Sequence, residues 1–223
     1  GMLLDGVRIE GNRVQVNWHG IQLSDVRNVE VVGNEVYDYY RAGIELRFGG
    51  DGNEISGNDV GGRLAVPTPG AGIVVLTAVG MLPPVITDGF SDLQVVGNSI
   101  SGVANEGISL LSLTGESGFS GQTLIEGNVI SDVSSAGGGT VPNLSGGIVI
   151  GGPANAGTFN ISGNIINDAN TYGIVISGSS VDAVISDNMI GGAHEKGISV
   201  RGAAGATIQW NTIIGSSRVG LEM

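Results

Sequence analysis

Apolar side chains recur along this chain in a fixed pattern of alternating apolar and polar positions. The motif reads apolar–x–apolar–x–Gly–Asn–x–apolar, and after a polar stretch it is followed by Gly–Ile–x–apolar. The Asn of the motif recurs as Asn12, Asn34, Asn58, Asn98, Asn128, Asn164, Asn188 and Asn211. Alternation with a period of two, rich in Ile and Val, predicts β-strands, because these segments are too short for helices.

The repeat predicts an all-β solenoid. Apolar residues hold the positions three before and two after each Asn, and every Gly–Ile segment adds two more. The first Gly–Ile column contains Ile21, Ile44, Ile73, Ile108, Ile148, Ile174, Ile198 and Leu221. A single coil cannot bury such a face alone, whereas coils stacked at about 4.8 Å bury it in continuous columns. We therefore predict a single-stranded parallel β-helix of about eight coils and three sheets.

The Gly–Asn pair marks a sharp corner between two strands. Asn tolerates the left-handed backbone region, and its amide can bond to the backbone and to the Asn of the next coil. We predict a structural Asn ladder at this corner and assign no chemistry to it. Asp187–Asn188 and Trp210–Asn211 lack the Gly, which predicts modified corners near the C-terminal end.

This repeat resembles the pectin-lyase-like superfamily of right-handed parallel β-helices over essentially the whole chain. The superfamily contains pectate lyases, polygalacturonases, alginate epimerases and lyases, phage tailspikes and adhesins, so the resemblance implies a right-handed fold rather than one activity. The chain lacks the Asn-x-Asp, Gly-His-Gly and Arg-x-Lys elements of polygalacturonases. The Asp-Pro-His element of alginate epimerases and the Trp-Ile-Asp-His element of pectate lyases are absent too.

Composition narrows the classes of partner. The uninterrupted repeat indicates one domain over residues 1–223, with a formal net charge of −12 and no Cys. The absence of Cys excludes disulfides, and the absence of a basic stripe argues against nucleic acid. No apolar run is long enough for a membrane span. Gly1–Met2 reads as a cloning remnant, so we expect a segment of a longer extracellular or surface protein.

Insertions in the repeat indicate where a ligand binds. Successive Asn are 22 residues apart in the first coil, and the intervals that begin at Asn58, Asn98 and Asn128 are longer. The extra residues flank the Gly–Ile strands and occupy 61–71, 77–92, 112–122, 134–146 and 151–158. Insertions on one side of a solenoid commonly build its binding face. We therefore predict a ligand groove along the Gly–Ile sheet.

Several outward positions of that sheet are apolar in the middle coils. The alternation places Val74, Leu76, Val149 and Val175 on the outside. Exposed aliphatic residues favour either a cover made by the protein's own loops or contact with another subunit. We favour loop cover, and a homo-oligomer formed through these four residues is the alternative.

Polar and aromatic residues gather in the first two coils. The tracts Asn17–His19 and Asp38–Arg41 occupy matching positions, so they should be neighbours. The candidate catalytic residues are Glu45, Asp38, His19, Arg41 and Arg47, which are suited to acid, base or charge-stabilising roles. The candidate ligand-binding residues are Trp18, Tyr39 and Tyr40, whose rings are suited to stacking on sugars. The structural alternative is an amphipathic rim near one end of the solenoid.

Two weaker clusters favour structural readings. His194–Lys196 with Arg201 reads as a solvated turn. Asp51, Glu54 and Asp59 supply oxygen ligands of the kind that calcium prefers, but they lack the spacing of a dedicated calcium loop. We therefore predict no metal site and no cofactor, and calcium stays an open alternative.

The leading functional hypothesis is an extracellular or surface module that recognises a polysaccharide or cell-surface glycan along the Gly–Ile sheet. One alternative is a divergent polysaccharide lyase, epimerase or hydrolase working in the same groove. The other is a structural or oligomerising stalk, of the kind found in tailspikes and adhesins.

Overall fold

The computed structural model describes residues 3–15, 18–62, 70–77, 89–112, 118–134, 144–153, 155–178, 182–203 and 205–223. Within these ranges the chain forms 25 β-strands and no α-helix. The strands assemble into three sheets of nine, eight and eight strands, and every pairing is parallel. The prediction of an all-β, right-handed parallel β-helix with three sheets is confirmed.

Each sheet takes one strand from every coil. The first sheet, which contains the Gly–Ile segments, is formed by β1 (Leu4–Asp5), β4 (His19–Arg27), β7 (Ala42–Gly49), β10 (Ala71–Leu76), β13 (Glu106–Leu111), β16 (Gly146–Gly151), β19 (Tyr172–Ser177), β22 (Lys196–Arg201) and β25 (Val219–Glu222). The second sheet is formed by β2 (Arg8–Glu10), β5 (Glu30–Val32), β8 (Glu54–Ser56), β11 (Phe90–Val96), β14 (Phe119–Glu126), β17 (Thr158–Ser162), β20 (Asp182–Ser186) and β23 (Gly205–Gln209). The third sheet is formed by β3 (Arg13–Gln15), β6 (Glu35–Tyr39), β9 (Asp59–Gly62), β12 (Ser99–Ser101), β15 (Val129–Val133), β18 (Ile165–Ala169), β21 (Met189–Gly191) and β24 (Thr212–Ile214).

The core consists of columns of identical repeat positions. Ile44 pairs in register with Ile73, and Ile73 pairs with Ile108, so their side chains stack along the axis. All three are fully buried. Burying each such side chain stabilises the fold by about 1.5–3 kcal/mol. The apolar columns predicted from the sequence are therefore the main stabilising feature of the solenoid.

The Asn ladder runs along the corner between the second and third sheets. Asn128 donates from its backbone N and its Nδ2 to the Oδ1 of Asn164, at 3.0 and 2.9 Å. Its Nδ2 also donates to the carbonyl of Val95 at 2.9 Å. In turn, the Oδ1 of Asn128 accepts from the N and Nδ2 of Asn98 at 3.0 and 2.9 Å. The predicted ladder is confirmed.

The corner differs from the prediction in one detail. The residue in the left-handed region is the one before each ladder Asn, as at Gly127, where φ is 63°. Asp187 and Trp210 replace this Gly and keep the conformation, with φ of 58° and 55°. The Asn side chain is thereby left in place for the ladder, whichever residue precedes it.

The Gly of each Gly–Ile pair is required by packing. A Cβ built on Gly147 would lie 2.5 Å from the Cγ2 of Ile166 and 2.8 Å from the carbonyl oxygen of Gly173. Both distances are too short for non-bonded atoms, so the strand can approach the third sheet and its neighbour only without a side chain here.

No helix in the described part of the chain is long and apolar enough to cross a membrane.

Candidate functional site

The outer face of the first sheet is covered in its middle coils. Val149 and Val175 are fully buried, and they pack against Leu144 and Tyr172 of the same chain. Val74 is buried as well and packs with the half-buried Leu76. The enclosure of Val74, Val149 and Val175 within one chain favours cover by its own residues over the alternative of a homo-oligomer through Val74, Leu76, Val149 and Val175. The preferred prediction of cover by the chain's own residues is confirmed for Val149 and Val175.

This cover changes the predicted groove. Ser109 and Ser199 also point outward from the first sheet and are fully buried, so the described part of this face presents no open groove in the middle coils. Most residues of the insertions at 61–71, 77–92, 112–122 and 134–146 lie outside the described ranges. The described part of the face is accessible at its two ends: Gln22 is exposed and Arg47 half-buried at the N-terminal end, and Arg201 is exposed at the C-terminal end.

Glu45 is the centre of the N-terminal cluster. Its side chain, on β7, is only 4% exposed. Its Oε1 accepts a hydrogen bond from the Nε of Arg47 at 2.6 Å, and its Oε2 accepts one from the Nε2 of Gln22 at 2.8 Å. A buried carboxylate is stable only when it is paired and hydrogen-bonded, and these two donors satisfy that requirement.

His19 lies against the same carboxylate from the neighbouring coil. Its Nδ1 is 2.8 Å from the Oε2 of Glu45, but the two groups lack the alignment of a hydrogen bond. The pKa of His19 is lowered from 6.5, first because burial disfavours the charged imidazolium and then because Arg47 and Arg41 repel it, while Glu45 opposes the shift. The site therefore favours a neutral imidazole beside a carboxyl group that is paired with Arg47.

Trp18 and Tyr40 form a stacked aromatic pair. Their ring centroids are 5.0 Å apart, and their planes differ by 11°. The backbone N–H of Tyr40 donates to the carbonyl of Trp18 at 3.0 Å, so the two tracts stack one coil apart as predicted. Trp18 is 56% exposed, whereas Tyr40 is half-buried. Since the rings cover each other, the pair presents the outer face and edge of Trp18 to solvent.

Tyr39 is a correction to the predicted site. Its side chain is 1% exposed and belongs to the main apolar core, so it cannot stack on a ligand. The reason is local: Asp38 has a left-handed φ of 58°, and the pairing of β6 with β9 shifts between Tyr37 and Tyr39. This bulge breaks the alternation and turns Tyr39 inward. Burial also raises the pKa of its hydroxyl.

Two further predicted residues lie at the edge of the cluster. Asp38 is half-buried, and its Oδ2 accepts a hydrogen bond from the Nε2 of Gln15 at 2.7 Å. Arg41 is exposed, and its backbone N–H donates to the carbonyl of Trp18 at 2.9 Å. Asn17 lies outside the described residues. The structure thus brings together His19, Glu45 and Arg47, with the aromatic pair beside them.

A second polar cluster lies at the C-terminal end of the same face. Both carboxylate oxygens of Glu222 lie 2.6 Å from the Nζ of Lys196, and Oε2 also accepts from Ser199 at 2.5 Å. Arg201 contacts Glu222 at 3.2 Å and the Tyr172 hydroxyl at 3.2 Å. These donors lower the pKa of Glu222 to about 2. Lys196 is therefore ion-paired rather than solvated as predicted. The sequence carried a signal for this cluster, because the alternation places Ser199 and Glu222 at matching outward positions of neighbouring strands.

Glu106 is another residue that the sequence analysis missed. It is fully buried on β13, and it pairs in register with Gly146 on β16. The sequence could have pointed to Glu106, because it occupies the same repeat position as the candidate residue His19: each stands two residues before the first Ile of its Gly–Ile strand.

The described carboxylates do not converge on a metal position. No group of three or more His, Cys, Asp or Glu side chains in these ranges is arranged to hold a metal ion. The three carboxylates considered for calcium each accept a hydrogen bond from a hydroxyl, namely Asp51 from Ser91, Glu54 from Ser56 and Asp59 from Tyr37.

Comparisons with known structures confirm the architecture. The chain is similar to the catalytic unit of a thermostable GH87 alpha-1,3-glucanase from Streptomyces thermodiastaticus strain HF3-3, with 17% identity and a TM-score of 0.60. The match covers 98% of this chain and 45% of that enzyme. The catalytic domain of a GH87 alpha-1,3-glucanase in complex with tetrasaccharides matches at 15% identity with a TM-score of 0.46, over 98% of this chain and 48% of that domain. At 17% identity the likeness to the first enzyme shows the fold alone, and the chain spans less than half the length of either neighbour.

Family comparisons divide the chain into two matched parts. Residues 2–80 match the model described as right handed beta helix region. Residues 91–223 match the model described as periplasmic copper-binding protein (NosD). A comparison with curated proteins gives no match. Because the second match covers 133 of the 223 residues, the chain belongs to the family described as periplasmic copper-binding protein (NosD).

Proposed function

We propose that this protein is a carbohydrate-recognising β-helix module that binds a glycan at the N-terminal end of its first sheet. The observation that carries the proposal is the stacked pair of Trp18 and Tyr40, with Trp18 56% exposed beside the His19–Glu45–Arg47 cluster. A flat apolar ring flanked by hydrogen-bonding and charged groups is the combination that sugar rings require.

The position of this pair supports a binding role over a purely structural one. Aromatic residues are only 4% of the chain, and the three Phe rings at 90, 119 and 159 are fully buried. Trp18 instead leaves more than half of its surface in water although its ring is held in one orientation by Tyr40. A ring fixed before binding loses little conformational entropy when a ligand stacks on it.

The comparisons support the scaffold and the compartment of this proposal. The GH87 enzyme acts on an alpha-1,3-glucan, and the shared fold indicates only that such a solenoid can accommodate a glycan site. The family description names the periplasm, which supports a location outside the cytoplasm. An extracellular or surface location is accordingly part of the proposal.

The residues present do not fit the copper centre that the family description implies. The chain has no Cys and two His, and His19 and His194 lie on coils six steps apart, about 29 Å at a rise of about 4.8 Å per coil. Met189 and Met223 are both more than half exposed, and no group of three or more His, Cys, Asp or Glu side chains in the described ranges is arranged to hold a metal ion. Copper sites take His, Cys or Met ligands within about 2–3 Å of one ion. We therefore assign no copper chemistry to this chain.

Binding to a panel of insoluble and soluble polysaccharides tests the proposal. Trp18→Ala should weaken binding by about tenfold, since a stacked ring contributes about 0.5–1.5 kcal/mol beyond its buried area. Tyr40→Ala should have a smaller effect, because it frees the Trp18 ring to rotate. Trp210→Ala is the matched control, because Trp210 is 75% exposed at the opposite end of the solenoid. Equal losses in Trp18→Ala and Trp210→Ala, or binding unaffected by either, would contradict the proposed site.

A second candidate function is proton abstraction from a sugar, as in a polysaccharide lyase or epimerase. The neutral imidazole of His19 beside the carboxylate of Glu45 is suited to that step. Hydrolysis is less well supported, because it requires two carboxyl groups flanking the bond and Glu45 is already held by Gln22 and Arg47. Glu45→Gln should then abolish the formation of unsaturated or epimerised products. Turnover that persists in a folded Glu45→Gln variant would exclude this role.

A further inference from the structure

Arg41 is the one Arg or Lys side chain in the described ranges without an ion pair. The other seven basic side chains there each lie within 3.7 Å of a carboxylate oxygen: Arg8, Arg13, Arg27, Arg47, Lys196, Arg201 and Arg218. The protein has 21 acidic residues for nine basic ones, so carboxylates are in excess. An exposed arginine that stays unpaired in such a protein is therefore available to an external anion.

Positive charge is also unevenly distributed along the solenoid. Six of the nine basic residues precede residue 64 and the other three follow residue 195, so the coils between them contain none. The coils that carry the Trp18–Tyr40 pair are thus the ones richest in arginine. Ten of the 21 acidic residues lie in the same stretch, before residue 64. At physiological salt, charges more than about 8 Å away are largely screened, so a ligand at this end responds to the charged groups nearest to it more than to the net charge.

The position of Arg41 places it at the aromatic pair. It directly follows Tyr40, and its backbone N–H donates to the carbonyl of Trp18 at 2.9 Å. Its positive charge is one of the causes that lower the pKa of His19. The neighbouring Arg47 is held by Glu45 at 2.6 Å, which leaves Arg41 as the uncompensated cation of the site.

We propose that Arg41 recognises an anionic substituent, a carboxylate or a sulfate ester, on a sugar that stacks against Trp18. The inference rests on the proposed glycan-binding function and specifies its ligand as an acidic glycan. The guanidinium group offers parallel N–H donors that match both oxyanions, and such charge-assisted pairs are about twice as strong as neutral hydrogen bonds. The net charge of −12 alone predicts a preference for neutral glycans, so an experiment can distinguish this expectation from the proposed preference for acidic ones.

Isothermal titration calorimetry with matched oligosaccharides tests the proposal. An oligogalacturonate is compared with its methyl ester, and a sulfated cello-oligosaccharide with the unsulfated one. The protein should bind at least one acidic form about tenfold more tightly than its neutral counterpart, and added salt should reduce this ratio. The arm that shows the preference identifies the substituent as carboxylate or sulfate. Arg41→Gln should bring the ratio to about one while binding of the neutral form through Trp18 persists.

Arg218→Gln is the matched control for this experiment. Arg218 stands three residues before Leu221, as Arg41 stands three residues before Ile44, and it is exposed at the far end of the solenoid. It pairs with Glu195 at 3.7 Å, and its removal should leave the acidic preference unchanged. Equal binding of acidic and neutral forms, or a preference that survives Arg41→Gln, overturns the acidic-glycan inference alone. Absence of binding to any oligosaccharide, with Trp18→Ala silent, overturns the proposed function as well.

Discussion

His19 and Glu45 stand on adjacent coils with Nδ1 and Oε2 2.8 Å apart, yet they form a close contact rather than an aligned hydrogen bond. The imidazole is 12% exposed, and burial is the largest cause of its lowered pKa. Glu45, which also receives donors from Arg47 and Gln22, opposes this lowering of the pKa. Burial therefore outweighs the attraction of Glu45 and favours the neutral form of His19.

The first prediction concerns pH. The folded pKa of His19 is below its ordinary value of 6.5, so between these two values the unfolded chain binds a proton that the folded chain does not. Stability is thus highest above pH 6.5, falls as pH is lowered through this window, and levels off below the folded pKa. His19→Gln should remove this fall, as measured by thermal unfolding between pH 4.5 and pH 8. His194→Gln, at an exposed position, should retain it. The same pH profile in both variants and the native protein would refute the assignment.

The second prediction concerns the Asn ladder. Asn128→Leu should lower the free energy of unfolding by roughly 1–3 kcal/mol for each buried group left unpaired, and the donors on Asn98 are among these groups. Asn12→Leu removes a terminal ladder residue whose side chain is exposed and should cost much less. Urea denaturation followed by circular dichroism measures both. Comparable losses of unfolding free energy at the two positions would mean that the contribution of a ladder Asn does not depend on its burial.

The third prediction concerns the Gly before each Ile. Gly147→Ala should destabilise the protein by about 1–3 kcal/mol, because the new Cβ overlaps Ile166 and the carbonyl of Gly173. Gly220 holds the same repeat position in the last coil, where a Cβ would meet nothing within 4 Å. Gly220→Ala should be neutral, or stabilising by about 0.4–1 kcal/mol through the unfolded state. Equal effects in urea denaturation would show that backbone freedom, rather than packing, selects Gly here.

The fourth prediction separates covered from open outer faces. Val149→Glu should prevent folding, because it places an unpaired charge beneath Leu144 and Tyr172. Met189→Glu, at an outward position of the third sheet that is 51% exposed, should fold normally. Size-exclusion chromatography and circular dichroism distinguish the outcomes. A soluble, folded Val149→Glu variant would mean that the cover over this residue opens easily.

The fold was predictable from sequence because one physical rule repeats in every coil. Inward positions alternate with outward ones, and a charged residue inside would cost more than the fold can tolerate, so columns such as that of Ile44 and Ile73 are visible without a structure. The same alternation fails wherever the backbone leaves the β region. Asp38, in the left-handed conformation, turned Tyr39 into the core against the predicted order.

The candidate site was predictable only in part, because contacts between coils depend on how the side chains of neighbouring coils pack, which the repeat pattern does not specify. The pairing of tracts one coil apart correctly anticipated that Trp18 and Tyr40 are neighbours. The alternation also placed Glu45 and Arg47 at consecutive outward positions of one strand, where they form an ion pair, but it gave no information on how deeply Glu45 is buried. The ion pair between Lys196 and Glu222 spans 26 residues and was missed for the same reason.

The Asn corner makes the solenoid indifferent to the length of its insertions. Asn34 and Asn58 are 24 residues apart and Asn58 and Asn98 are 40, yet the amide contacts are 3.0 and 2.9 Å long in the two steps. The Asn ladder therefore keeps a constant spacing between coils along one edge of the molecule, while the length of chain between successive ladder Asn can change in evolution. Loops away from this ladder can be exchanged without changing the strand register of the neighbouring coils. The scaffold is therefore suited to the insertion of new binding segments.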